Sequence, residues 1–325
     1  MPYGEIVSRS FSIFWRHKYL WLLGALGGGE TAYGSNFGNL GGNAFTGSGN
    51  PGGGGNGPDV AAVFGHWVVQ NIGLIAVLVA LVLVFFIIYF FVSCVAMPAT
   101  VRAAAEHDAD RPFDFRLAWR AGVSAFLSVL GLRLLTLLVV LAVLIILILL
   151  VALGIGFAAS GQGGGVVLAI ALGILLVLAF IPFSIGLGLT VSLAIRAVVL
   201  EERGMFAALR RGFQLFTSRL GRVLLLWLIQ FGLALALGVV LNLLSLVLLL
   251  PLAALLALAY FSGGGIEGLL TAGAIALAVY VIGVIVLGGA AGSFMTTYWT
   301  LGFRRLEVET PRYPAYYPPA APASP

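Results

Sequence analysis

Three histidines, one cysteine, one lysine and twelve carboxylates are the side chains on which this sequence could build a reaction. Lys18 is the only lysine, and no Gly-Lys-Ser/Thr surrounds it, so no phosphate-cradling loop of the Walker type exists. Cys94 stands alone in an apolar run, which excludes an internal disulfide and a thiolate metal cluster and reads as a small buried residue. His17, His66 and His107 fall in three different segments. Glu106-His107-Asp108-Ala109-Asp110 gathers three carboxylates whose hard oxygens suit a hard cation. A solvated loop is the plainer reading and the one preferred. Glu201-Glu202-Arg203 reads in the same way as a solvated turn rather than an acid/base pair. The glycine runs after Leu26 follow no strand and carry no dinucleotide fingerprint. No nucleophile–base pair and no metal set assembles, so the sequence assigns no catalytic residue, no metal site and no cofactor, and the chain is read as a non-enzyme.

The elements that carry these residues follow from composition. Of 325 residues 61% are hydrophobic and 9% charged, 29 charged side chains where a soluble chain of this length would carry about 80. A soluble domain, a disordered chain and a nucleic-acid-binding domain are excluded, and a polytopic membrane protein remains. Uncharged runs extend over Val60–Val101 (42 residues), Leu134–Ile195 (62), Val223–Ile266 (44) and Gly268–Phe303 (36). About 20 apolar residues cross a bilayer core of about 30 Å as a helix, so the run of 62 must turn back, at Ser160–Gly165. The expected spans are Asn71–Met97, Leu127–Phe157, Val166–Ile195, Arg222–Leu250 and Leu269–Gly302. All are helices, because an open sheet leaves its backbone unsatisfied in lipid. Pro182 is expected to kink the third and Pro251 to bend or end the fourth.

A sixth span over Phe11–Leu26 is interrupted by Arg16, His17 and Lys18. It reads either as a signal peptide cleaved at Ala25-Leu26-Gly27 or as a short or tilted first helix. All 17 basic residues fall before the first span, between the second and third, between the fourth and fifth, or after the last. The alternate loops 28–68, 158–165 and 259–268 hold none. The positive-inside rule then puts both termini in the cytoplasm of a multi-pass cell-membrane protein. The net charge of +5 faces anionic lipid headgroups, not nucleic acid. The domain reading is one transmembrane domain over 1–310, with an external glycine-rich loop at 27–68 and a Pro/Tyr-rich disordered tail at 311–325.

The chain repeats itself. Ala118-Trp119-Arg120-Ala121-Gly122 is matched 90 residues on by Ala208-Leu209-Arg210-Arg211-Gly212, and Ser10-Phe11-Ser12-Ile13-Phe14 parallels Gly212-Phe213-Gln214-Leu215-Phe216. Each copy is a basic amphipathic segment leading into a span, so three helical hairpins are expected. This repeat favours retention of the first helix, since cleavage would discard half a copy. Phe206, Leu209, Phe213, Phe216 and Leu220 form one stripe; Phe115, Trp119, Val123, Phe126 and Leu130 form the other. Such segments lie in the membrane interface, with arginines at phosphate depth. Arg116, Arg120, Arg210 and Arg211 are the candidate headgroup-binding residues; the alternative is that they serve anchoring and topology alone.

Glu5-Ile6-Val7-Ser8-Arg9-Ser10-Phe11 leading to Trp15-Arg16-His17-Lys18, Val199–Gly204 followed by Ala207–Phe213, and Tyr298-Trp299-Thr300-Leu301 resemble uncharacterised bacterial six-span proteins. Those are similar to the membrane domain attached to some glycerophosphoryl diester phosphodiesterases. The resemblance implies a fold and a membrane location and no known reaction; the soluble phosphodiesterase domain has no counterpart here.

Ion-coupled carriers place ionisable residues inside the membrane, and the five strong spans have none in their interiors. Arg133, Arg196 and Arg222 stand near span ends, where they are expected to snorkel. Gln230 and Asn242 are the costly intramembrane polar residues, read as interhelical hydrogen-bond glue, and Gly288/Gly292 and Gly24/Gly28 have the spacing of close helix contacts. The preferred reading is a non-enzymatic organiser, anchor or regulator at the cytoplasmic leaflet with anionic lipid contact. The alternative is a transporter or permease for an uncharged or lipid-like solute. The sequence names no protein partner and leaves homo-oligomerisation open.

Overall fold

The computed structural model describes residues 3–28, 72–161, 163–261 and 265–306. The glycine-rich loop from residue 29 on, His66 within it, and the tail 311–325 lie outside the described residues. The described chain is helical throughout, with no strand among the described residues. In order come α1 (Tyr3–Arg16), α2 (Tyr19–Leu23) running into a π-helical turn (Gly24–Gly28), α3 (Ile72–Asp108), α4 (Phe115–Ala159), α5 (Gly163–Leu200), α6 (Met205–Ser218), α7 (Leu220–Phe261) and α8 (Gly265–Leu306). Helices α3, α4, α5, α7 and α8 each contain a stretch long and apolar enough to cross a membrane, which fits a multi-pass membrane protein.

These helices outrun the expected spans at their charged ends. α3 continues past Met97 to Asp108, α5 past Ile195 to Leu200, and α8 past Gly302 to Leu306. α4 begins at Phe115, so the amphipathic segment before the second expected span is its first turns and not a separate helix. α7 runs through Pro251 without ending there. The interruption at Arg16-His17-Lys18 is a real break between α1 and α2. Tyr19–Gly28 is ten residues, about 15 Å of helix, half of what a bilayer core needs.

Burial is concentrated at one end. Ser93–His107 of α3, Leu189–Leu200 of α5 and Ala290–Leu306 of α8 supply most of the buried residues, and α1, α2 and α6 wrap them. The opposite halves of the long helices expose Leu, Val, Ile and Phe along their length and pack in pairs, as where Leu248 and Leu256 of α7 meet Gly283 and Gly273 of α8. α3 packs on α4, α5 on α6, and α8 on α1 and α2, while α3, α5 and α8 also touch one another. Small residues permit the closest approaches. A Cβ on Gly24 would collide with the Gly289 carbonyl and Ser293, so the contact that brings α2 onto α8 lies one position from the expected Gly288 and Gly292. Gly27 takes φ +93° and meets the side chain of Ser93; it needs both the left-handed conformation and the absence of a Cβ.

Candidate arginine surface

The acidic clusters of the sequence resolve into arginine partners. Glu106 lies 3.1 Å from Arg102, one turn back on α3, and 3.2 Å from Arg111. Asp108 pairs with Arg304 of α8 and lies 3.8 Å from Arg9 of α1; Arg9 also donates to Asp110 at 2.5 Å. Glu201 is held by Arg203 and, at 3.4 Å, by Arg211 of α6. Arginines also stitch helix to helix through backbone. Arg102 donates to the Val199 carbonyl at 3.2 Å, Arg304 to that of Ala105 at 3.0 Å, and Arg219 to that of Leu306. A carboxylate so engaged is a poor cation ligand and a poor base, and no group of three metal-binding side chains occurs among the described residues.

The histidines, separate in sequence, are not separate in space. His17 and His107 stack with ring centroids 3.6 Å apart and planes 8° from parallel. The Tyr19 hydroxyl touches His107 Nε2 at 2.6 Å and donates to the Phe113 carbonyl at 3.2 Å. Burial, and secondarily the adjacent Arg16 charge, hold His17 below its ordinary pKa and so favour the neutral ring. The pairing was invisible in the sequence, because 90 residues separate the two rings.

The four candidate headgroup arginines divide. Arg116, Arg120 and Arg210 are exposed and make no ion pair or hydrogen bond among the described residues. Arg211 is half-buried and committed to Glu201. Beside the three free arginines the helices present apolar side chains outward: Val123 and Leu127 on α4, Phe206 and Phe213 on α6. The inward face of α6 is Ala208, Gly212 and Leu215, while Leu209 and Phe216 of the expected stripe are half-buried and Leu220 begins the next helix. Thus α6 has a small-residue face for α5 and an aromatic face with Arg210 for its surroundings. The charged positions offer an anion cationic groups at the border of an apolar surface, the arrangement suited to a lipid phosphate.

Two arginines expected to snorkel are buried instead. Arg133 donates to Ser93, to Met97 Sδ at 3.3 Å and to Cys94 Sγ at 3.6 Å. Arg196, wholly inaccessible, donates to the Ser192 carbonyl at 2.6 Å and hydroxyl at 2.7 Å, and lies 5.7 Å from the centre of the Trp299 ring. Both guanidinium groups sit where other helices cover them, so they cannot reach an interface; Arg222 alone of the three is exposed. Ser192, four residues before Arg196, was the one local signal of such a site. Gln230 accepts a hydrogen bond from Trp299 Nε1 at 2.6 Å, tying α7 to α8. Asn242 is exposed on α7.

A family model described as a family of unknown function, DUF7544, matches residues 19–307, and the chain belongs to that family. The description gives no activity and no tie to the phosphodiesterase membrane domain. No curated protein and no solved structure matches the chain.

Proposed function

We propose that this member of the DUF7544 family is a non-enzymatic organiser or anchor whose charged end lies at the cytoplasmic leaflet and holds anionic lipid headgroups. The observation that carries the reading is the division among the arginines: Arg116, Arg120 and Arg210 stay uncommitted beside outward Val123, Leu127, Phe206 and Phe213, whereas their neighbours are tied to carboxylates. An uncommitted arginine near an anionic leaflet contributes about 1 kcal/mol of attraction. The engagement of Glu106, Asp108 and Glu201 by arginines, and the stacking of His17 on His107, support a structural role for the residues otherwise suited to catalysis.

The architecture that goes with this reading is three hairpins, each opened by an amphipathic leading segment. Its support is positional. α1 and α6 have the same length, 14 residues, and with the start of α4 they begin at matching places in the three copies. Ile6, Ala118 and Ala208 are completely buried at matching positions, and Ser10, Gly122 and Gly212 are buried four residues later. The next residue points outward each time: Phe11 is 53% exposed, Val123 54% and Phe213 58%. α8 packs against α1 as α3 packs against α4 and α5 against α6, so the three units close on one another. Both termini then lie on the arginine-rich side, and the first hairpin opens with the short α2.

The test is lipid preference of the purified chain. Vesicles of phosphatidylglycerol with phosphatidylcholine should be preferred over phosphatidylcholine alone. Changing Arg116, Arg120 and Arg210 together to Gln should reduce that preference by roughly tenfold or more. Arg211→Gln should leave the preference intact and lower thermal stability, since it breaks a pair with Glu201. Equal preference in wild type and the triple variant would overturn the reading and leave these arginines to topology alone.

A further inference from the structure

The hydroxyl groups of the long helices mostly satisfy themselves. Thr100, Thr136, Ser184, Ser293, Thr297 and Thr300 each donate to a carbonyl three or four residues back on their own helix. Gln230 is satisfied by Trp299. Asn242 differs. It is exposed near the middle of the uncharged run Val223–Ile266, and its amide makes no hydrogen bond among the described residues. An amide has two donors and an acceptor, and hydrocarbon offers partners to neither. α7 meets α8 through Leu248, about 120° round the helix from Asn242, and toward its end through Leu256; the Asn242 side chain itself is exposed. The amide therefore faces away from the chain's own bundle.

From this placement we infer that α7 is the contact surface for a second copy of the chain, paired in parallel through Asn242. The seam is Phe231, Leu235, Gly238, Asn242, Ser245 and Leu249, spaced alternately four and three residues apart. That spacing is the left-handed crossing of a parallel helix pair. Phe231, Leu235 and Leu249 are exposed, Gly238 and Ser245 are half-buried at the edge of the seam, and a Cβ on Gly238 would meet nothing within 4 Å, so there is room for close approach beside the amide. The occupant follows from two facts. An amide is complementary to itself, donor to acceptor and acceptor to donor. Copies of one chain insert in one orientation, so a twofold axis along the membrane normal brings the two Asn242 side chains to the same depth whatever the tilt of α7. A partner of different sequence would need its own polar group at that depth.

Two measurements on the full chain in liposomes test this. Energy transfer between labelled copies, followed as lipid dilutes the protein, should show a dimer, and Asn242→Leu should weaken it about three- to twentyfold, the range of single interhelical hydrogen bonds in membranes. In a Cys94→Ser background, Leu235→Cys and Leu249→Cys should oxidise to linked dimers and Leu243→Cys, off the seam, should not; these variants keep Asn242 and so remain informative if Asn242→Leu misfolds. A monomeric wild type would assign the Asn242 face to lipid or to a different protein and overturn the inference. So would unchanged dimerisation of Asn242→Leu, or linkage at Leu243→Cys in place of the seam positions.

Discussion

Gly122 and Gly212, 90 residues apart, make the same contact with different helices. A Cβ on Gly122 would press into the Val95 carbonyl and the Ala99 side chain of α3; on Gly212 it would press into the Thr190 carbonyl and the Ala194 backbone of α5. In each case the two obstacles lie one helical turn apart, so the glycine sits in the groove between successive turns of its neighbour. Because backbone blocks the space, relief requires the helices to separate.

Gly122→Ala and Gly212→Ala should therefore each destabilise the protein by about 1–3 kcal/mol, the cost of overpacking. Gly232→Ala on α7, where nothing lies within 4 Å, should be neutral or stabilising by up to about 1 kcal/mol through helix propensity. Thermal unfolding in detergent checks all three. Equal melting temperatures would show that the glycines are not packing positions.

The His17 stack predicts acid sensitivity. His17 has its pKa lowered in the folded chain, so below the ordinary value of 6.5 the unfolded chain takes up the proton first. Its contribution to stability is complete above that value and is lost as pH falls from 6.5 toward the lowered folded value. Burial, and secondarily the Arg16 charge beside it, oppose the new charge. The melting temperature should fall as pH drops below about 6.5 toward the lowered folded value, and the fall should shrink in His17→Phe, which keeps an aromatic ring without a titrating group. An identical fall in the variant would assign the acid sensitivity to other groups.

Hydropathy marked where each long helix is apolar but not where it ends. The expected ends at Met97 and Gly302 came from the cost of placing charges in a span. Arg102 and Glu106 pair at i,i+4 inside α3, and Arg304 reaches Asp108, so the charges extend the helices where they were expected to stop them. Arg102 finds its partner within α3, whereas Arg304 finds Asp108 on another helix, 196 residues away. Arg133 and Arg196 were misread for the same reason, since Ser93, Met97 and Trp299 are visible only after folding. The outward arginines were legible because exposure demands no partner. The exception proves the physics: Arg211 sits one residue from Arg210 but about 100° round the helix, on the side that finds Glu201.

Asp110 and Glu202 predict opposite balances from the same backbone. Each follows a long helix with φ +53°, the left-handed conformation in which a side chain is disfavoured by about 1–2 kcal/mol. The Glu202 side chain is 68% exposed and 3.9 Å from Arg102, a separation at which a solvated pair contributes little. Glu202→Gly should thus raise stability by about 0.5–1 kcal/mol. Asp110→Gly relieves the same strain but loses the hydrogen-bonded pair with Arg9, so its gain should be smaller or absent. Thermal melts of the two variants compare them directly; a destabilised Glu202→Gly would show that its carboxylate matters more than its backbone.

Orientation is the last expectation, and it joins the arginine count to the fold. All 17 basic residues of the sequence fall in segments on one side of the expected spans or, like Arg133 and Arg222, near the span ends on that side, and the alternate loops carry none. Folding gathers Arg9, Arg102, Arg111, Arg211 and Arg304 at one end, where they pair with acids. Pairing does not cancel the topological signal, because lysine and arginine act during insertion, before those pairs form, and acidic residues count for little. A reporter active only in the cytoplasm should accordingly be active when fused after Arg305 and silent when inserted at Gly54. The complementary reporter, active only outside, should give the reverse. Activity of the cytoplasmic reporter at Gly54 would invert or break the hairpin arrangement and would also remove the anionic inner leaflet from the reach of Arg116, Arg120 and Arg210. The lipid preference should then disappear in oriented membranes while persisting in symmetric vesicles, so the two assays together separate a wrong orientation from a wrong ligand.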